Sequence, residues 1–487
     1  QQDHQQSARV LEERFPDTKE NQPELLAHHD TEAGKIEQAV PYWKAGGQKA
    51  VQRSAHVEAI SLLAKGLELL KTLTDTPEHA QQELVLQVAL GEALMVTKTF
   101  AAPEAERAYA RARELCQQVG ETTQLFTVLS GLRLFYMARA EWQPARELGE
   151  QLLRLAQNAR APALLLGAHH ALGDTIYLQG ELTQARMHQE HAIALYHPEQ
   201  HHALAFGQGY DLGMDALAHG AWLLWYLGYP DQALERSQAA LALARKLSHT
   251  YSVVHALWCA AWLHQLRREA YATQEHAQAT LALATEHGLV GELLWATIHR
   301  GWALVEQGRE EEGIAQMHEG LTTLYTTGTE VFRPGWLTVL AEAYGKVGQV
   351  EKGLGLVAEA LSITERNGER LHEAEQYRLK GQLTLQQQSK VQGPKSKVTE
   401  PHPLPPDSQG EAEACFLKAI EIAQKQQAKS LELRAVMSLA RLWQQQDKQH
   451  EAHKVLFEIY NWFTEGFDTK DLQEAKALLN ELEGVNG

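Results

Sequence analysis

Residues 228–244, GYPDQALERSQAALALA, close one apolar segment on a Gly-Tyr-Pro turn and open another. Ala233, Ser237 and Ala240 stand at i, i+4 and i+7, so they share one face of a helix, and all three are small. A core-facing stripe this thin fits a place where a second helix lies directly on it, because small side chains let two helix backbones approach. Such a stripe should recur wherever the chain repeats the packing.

It recurs along most of the sequence. Aligned on the small residue after each turn, Ala233 is followed by Ala272, Gly313 and Gly353, at steps of 39, 41 and 40 residues. Upstream, Ala145 and Ala185 are 40 apart, and so are Ala412 and Ala452 downstream. Twelve residues before these positions sits another small residue: Gly173, Ala221, Ala260, Gly301, Ala341 and Ala440. Ala240, Ala279, Gly320 and Ala360 form a third set. A period near 40 built from two apolar helices marks an all-α solenoid of helical hairpins, and the sequence predicts about ten of them.

Small residues in this order resemble the tetratricopeptide repeat, with each helix about one turn longer than in the standard 34-residue unit. That resemblance implies a right-handed superhelix whose first helices line the concave side. Two spacings break the period. Ala185 to Ala233 is 48 residues, with the excess in HPEQHHALAFGQGYDLGM, and Gly353 to Ala412 is 59. The expected organisation is helical repeats over 1–387, a Pro-rich disordered insert over 388–410, and final repeats over 411–487 capped by the helix in TKDLQEAKALLNELE.

Composition narrows the function. Sixty-two acidic against 45 basic residues give a formal charge of −17, which argues against a nucleic-acid surface built from Lys and Arg. No run of about 18 apolar residues predicts a membrane span, and no secretory leader opens the chain, so a cytoplasmic location is expected. Because the sequence starts without Met in residues that already look helical, it reads as a fragment of a longer chain. Cys116, Cys259 and Cys415 lie far apart and read as small buried hydrophobes.

Catalytic signals are missing: there is no phosphate loop, no GxGxxG after a strand, no HExxH and no GxSxG. The chain is therefore expected to be non-catalytic, with no cofactor. The histidine clusters His28-His29-Asp30 and His197…His201-His202 read as surface or packing residues, since neighbours on a helix point about 100° apart. No metal site is predicted. Carrying over the concave positions of the tetratricopeptide unit gives His170, Asp174 and Tyr177, then Asp215, Trp222, Trp225 and Tyr226, then His264, then Trp295 and Trp302. Asp211 joins them from the glycine-rich GQGYDLG, where it is expected to be exposed. Large amphipathic rings beside a few polar groups are what a peptide hot spot or a ligand pocket uses.

The segments AVPYWKAGGQKAVQRSAHVEAISLLAKGLELL, YARARELCQQVGE, LLAEAYGKVGQVEKGL and NWFTEGFDTKDLQEAKALL resemble the C-terminal region of bacterial adenylate/guanylate cyclase–ATPase fusion proteins. In that family a cyclase homology domain or another effector precedes a signal-transduction ATPase, and the repeat array follows. The resemblance implies a sensor or docking arm that binds a protein or peptide on its concave face, the ATPase module of the same polypeptide included. On this reading Trp222→Ala with Trp302→Ala should abolish partner capture and leave the array folded. The alternative is a sensor that holds a small effector in a closed pocket in the middle repeats, through Tyr177, Asp211, Asp215 and His264.

Overall fold

The computed structural model describes the chain apart from residues 16, 54, 121, 202–209, 392–407 and 484–487. Among the described residues, ten helical hairpins follow one another. The first five pair Ile36–Gln52 with His56–Leu70, Pro77–Thr97 with Pro103–Val119, Thr122–Ala138 with Trp142–Ala159, Pro162–Leu178 with Leu182–Leu195, and Leu212–Tyr226 with Pro230–Leu247. The second five pair Thr250–Leu266 with Ala270–His287, Val290–Glu306 with Glu310–Thr326, Arg333–Lys346 with Val350–Asn367, Glu373–Val391 with Ser408–Gln426, and Lys429–Gln445 with Gln449–Tyr460. Three helices between Gln2 and Glu32 precede them, and Lys470–Glu483 caps the end. No strand occurs among the described residues, and no helix there is long and apolar enough to cross a membrane. The architecture is a tetratricopeptide-like α-solenoid.

The two helices of a hairpin are buried differently, and this sorts them into layers. In Thr250–Leu266, 13 of 17 residues are buried, as expected for a helix enclosed on nearly every side. Its partner Ala270–His287 buries only Thr273, Ala277, Thr280 and Ala284. First helices therefore form an inner layer and second helices an outer one.

Small residues sit where the layers touch. A Cβ added at Gly313 would stand 2.4 Å from the Gly301 carbonyl oxygen, and one at Gly301 would stand 2.7 Å from the Gly313 carbonyl oxygen. Ala233, Ser237 and Ala240 are buried in the same way. In the sixth hairpin the buried outer stripe is Thr273-Ala277-Thr280, 40 residues after 233-237-240, so Ala272 and Ala279 lie one residue off the true register. The inner counterpart is likewise Ala261, packed with Ala277, in addition to Ala260. With two small residues adjacent at both places, the local pattern fits either register.

In the third to eighth and the tenth hairpins the inner helix turns into its outer partner through a residue with left-handed backbone. Gly228 (φ 92°) and Gly308 (φ 81°) take this conformation without a Cβ clash, and Arg268, between them in the repeat, takes it at φ 63°.

Successive turns of the superhelix touch. The Ala138 carbonyl accepts from the N–H groups of Glu330 (2.8 Å) and Val331 (3.0 Å), and the Leu178 carbonyl from those of Arg370 (3.0 Å) and Leu371 (3.3 Å). Donor and acceptor are 192 residues apart in the Glu330 and Arg370 bonds, roughly five hairpins. Carbonyls at the C-terminal ends of two inner helices thus meet N–H groups at the N-terminal ends of two others. These are the groups that a helix leaves unsatisfied within itself, and the helix dipoles meet with opposite signs. The concave face is consequently an enclosed interior, where the sequence reading expected an open groove.

Helix extends into the expected 388–410 insert from both sides, to Val391 and from Ser408. The disorder expected there concerns 392–407, outside the described residues, as are residues 202–209 of the other expansion.

Candidate ligand-binding site

Inner helices of the third to seventh hairpins each aim polar side chains at the superhelix axis. Arg133, Asp174, Asp215, His219, His255 and Glu292 come from five consecutive inner helices, and His170 lies one turn before Asp174. Asp215 is the hub. Its Oδ1 lies 3.0 Å from His255 Nε2 and 3.4 Å from His219 Nε2, and its Oδ2 lies 2.9 Å from His170 Nε2. Asp174 Oδ1 accepts from His219 Nδ1 (2.7 Å) and Gln189 Nε2 (2.8 Å). Glu292 accepts from the Tyr251 hydroxyl at 2.5 Å and stands 3.6 Å from His255 Nδ1.

Burial alone would drive the charge off these groups, yet their mutual attraction prevails. Burial disfavours an imidazolium at His219, but Asp215 and Asp174 outweigh it and hold its pKa well above the ordinary value. Burial would also raise Asp215, but His219 and His255 hold it well below the usual carboxylate range. His170 is raised and Asp174 lowered by the same balance. His299, on the same helix as Glu292 but without a charged partner, shows the opposite outcome, with burial lowering it to about 3.

Aromatic rings continue the wall. Trp222 packs at 4.6 Å on His219 and 4.9 Å on Trp262, and Trp258 stacks at 4.5 Å on Trp295. His219, Trp222, Trp258 and Trp295, with Tyr177, Tyr210, Tyr251 and Phe332, line a cavity of about 70 Å³. The indole N–H groups of Trp258 and Trp295 have no protein acceptor. Beyond Phe332 lies a second, polar chamber of about 180 Å³, lined by Tyr226, Trp302, His372 and four arginines. The C-terminal helix closes it: Asp471 pairs with Arg268 (3.0 Å) and Arg434 (2.7 Å), and Glu474 with Arg268 (3.0 Å) and Arg441 (3.3 Å).

Of the residues expected from the sequence, the structure brings Asp174, Tyr177, Asp215, Trp222 and Trp295 to the first cavity and Tyr226 and Trp302 to the second. His170 adjoins the first through Asp215. Three lie elsewhere. Asp211 is 1 % exposed and caps the Leu212–Tyr226 helix, accepting from the Met214 N–H at 2.8 Å. It is held there by local hydrogen bonding, as N-terminal caps are. Trp225 packs in the seam between turns, under the Arg434 guanidinium at 4.8 Å, and its carbonyl accepts from the Ser430 hydroxyl at 2.5 Å. His264 pairs with Glu269 (2.5 Å) and stacks on His276 of the outer layer, the consequence of the one-residue register difference in its hairpin.

Residues the sequence reading missed are Arg133, His219, His255, Trp258, Trp262 and Glu292. Their signal was present as Asp215/His219 and His255/Cys259, two i,i+4 pairs 40 residues apart. Trp222 and Trp302 are 1 % and 5 % exposed, so truncating them removes core. Each Trp→Ala costs about 3–5 kcal/mol, and the double variant is expected to disturb the fold, in contrast to the expectation from sequence.

No family model matches the chain. It is 25% identical over 366 residues to an uncharacterized protein of Rhizobium meliloti (strain 1021), covering 74% of this chain and 35% of that protein. Among solved structures it is similar to a signal transduction ATPase with numerous domains carrying a tetratricopeptide repeat sensor, from Pyrococcus horikoshii. That match has a TM-score of 0.41 and 14% identity, over 83% of this chain and 55% of the other. A Rap protein complexed with competence and sporulation factor aligns with a TM-score of 0.47 and 11% identity, over 80% and 98% of the two chains. The chain spans about a third of the length of the curated relative and about half of the Pyrococcus chain.

Proposed function

We propose that this chain is a non-catalytic sensor module that encloses a small effector within its superhelix and passes the state of the closed coil to a protein partner. The partner suggested by the sequence resemblance is the ATPase or cyclase machinery of the same polypeptide. One observation carries the reading: within a superhelix whose turns touch, five consecutive inner helices converge on a cavity that combines aromatic walls, unpaired indole donors and a buried network of carboxylates and imidazoles. Enclosure favours a small effector over a protein inserted in the groove, and leaves the outer layer for protein contacts.

The test is thermal unfolding with tryptophan emission, on the chain mixed with cell extract split by mass. A ligand at 100 times its Kd adds about 2.7 kcal/mol. A low-mass fraction should raise the midpoint and shift the emission of Trp222, Trp258 and Trp295. Trp295→Phe, which keeps the ring and removes a donor, should weaken that response. A midpoint raised only by the protein fraction would overturn the enclosed-effector reading.

A further inference from the structure

Two adjacent inner helices each present an i,i+4 pair of metal-ligating residues to the same point: Asp215 and His219 from one, His255 and Cys259 from the next. Their ligand atoms all lie within 4.8 Å of one another. We infer that Asp215, His219, His255 and Cys259 form a tetrahedral site for one divalent transition metal of the zinc class, tying the fifth hairpin to the sixth.

Two independent features support this. The first is spacing. Bonds of about 2.0–2.3 Å to nitrogen, oxygen and sulfur set tetrahedral ligand atoms roughly 3.3–3.7 Å apart. Asp215 Oδ1 is already 3.0 Å from His255 Nε2 and 3.4 Å from His219 Nε2. The second is the outer shell. His219 would bind through Nε2 while its Nδ1 is held by Asp174 at 2.7 Å, the carboxylate–histidine arrangement that fixes a ligating ring. Asp215 would bind through Oδ1 while Oδ2 faces His170 at 2.9 Å.

The donor set selects the metal. One thiolate, two imidazoles and one carboxylate suit Zn²⁺ or Co²⁺ and exclude Mg²⁺ and Ca²⁺, which take oxygen ligands. Asp215, His219 and His255 also line the cavity.

Cobalt reads the site directly. The untagged full chain, stripped with a chelator and kept reduced, should take up one Co²⁺. It should then show the strong visible bands of a tetrahedral ion and a thiolate-to-cobalt charge-transfer band, both erased by Zn²⁺. Cys259→Ser, a near-isosteric change, should abolish the charge-transfer band, while a chain carrying Cys116→Ser and Cys415→Ser should retain it. Asp174→Asn should weaken Co²⁺ binding about 10–100-fold through the lost outer-shell partner. No uptake by the wild-type chain, a weak octahedral spectrum, or a charge-transfer band that survives Cys259→Ser would each overturn the assignment. These spectra do not depend on the extract experiment, so either reading can fail alone.

Discussion

Adding one methyl group at two glycines should change stability in opposite directions. At Gly313 the new Cβ would meet the Gly301 carbonyl oxygen at 2.4 Å, Val305 Cγ2 at 2.7 Å and the Val305 nitrogen at 2.9 Å. Two of these atoms are backbone, so relief requires the two helices of the hairpin to separate. Overpacking of this kind costs about 1–3 kcal/mol, and the helix-propensity gain of Gly→Ala returns about 0.8–1 kcal/mol. Gly313→Ala should therefore destabilise by up to about 2 kcal/mol. Gly355, in the middle of the exposed face of Val350–Asn367, has nothing within 4 Å of its added Cβ. Gly355→Ala keeps the whole propensity gain and should stabilise by about 1 kcal/mol. Urea unfolding followed by far-ultraviolet circular dichroism gives both values, with the denaturant slope checked for stepwise melting of the array. If Gly313→Ala stabilised the chain as much as Gly355→Ala does, the helix contact at Gly301–Gly313 would be wrong.

Other perturbations follow from single sites. His299 and His372 are buried and neutral, lowered by burial to about 3 and about 4. The unfolded chain protonates them near pH 6.5, so their contribution is complete above that pH and lost as the pH falls. Each should cost about 2 kcal/mol by pH 5, and His299→Leu should flatten the measured pH dependence of unfolding between 6.5 and 5. Ser248 holds left-handed backbone at φ 54° where the equivalent outer helices end on Gly288, Gly328 and Gly368. Ser248→Gly should raise stability by about 1 kcal/mol in the same urea assay. Asp471→Ala would strip Arg268 and Arg434 of a shared carboxylate. Both arginines keep some exposure, so a loss of roughly 1–3 kcal/mol is expected, seen as earlier proteolysis of the C-terminal helix.

The period, the hairpins and the thin stripe were legible because they are local: backbone contact demands small residues at fixed offsets, and the demand recurs every 40 residues. The register of the sixth hairpin was not, since Ala260 and Ala261 satisfy the same demand and only neighbouring hairpins choose between them. That one-residue ambiguity is what put His264 in the predicted site in place of His255 and Trp258. The ligating pairs were written in the chain as Asp-x-x-x-His and His-x-x-x-Cys, but an i,i+4 pair on one helix gives no sign that a second pair converges on it. Asp211 was misplaced for a related reason: glycines around it marked an irregular segment, while its own role as a cap depends on the helix that begins after it.

Closure of the superhelix left no local trace, because its bonds join residues 192 or 193 apart, and it can be tested without any ligand. The N–H groups of Glu330, Val331, Arg370 and Leu371 stand before or in the first turn of an inner helix. In an open array these positions have no intrahelical acceptor and exchange their hydrogens quickly. Here the Ala138 and Leu178 carbonyls cover all four. At about 0.5–1.5 kcal/mol net per bond, separating both contacts costs roughly 2–6 kcal/mol if the turns open together. That corresponds to slowing by about 30-fold at the least. Hydrogen exchange should accordingly find these four amides protected. Protection would mean that the aromatic inner face is core at equilibrium and that an effector enters only when the coil loosens. Fast exchange at all four would mean that the coil stands open, and the tryptophans of its inner face would again be a surface available to a partner.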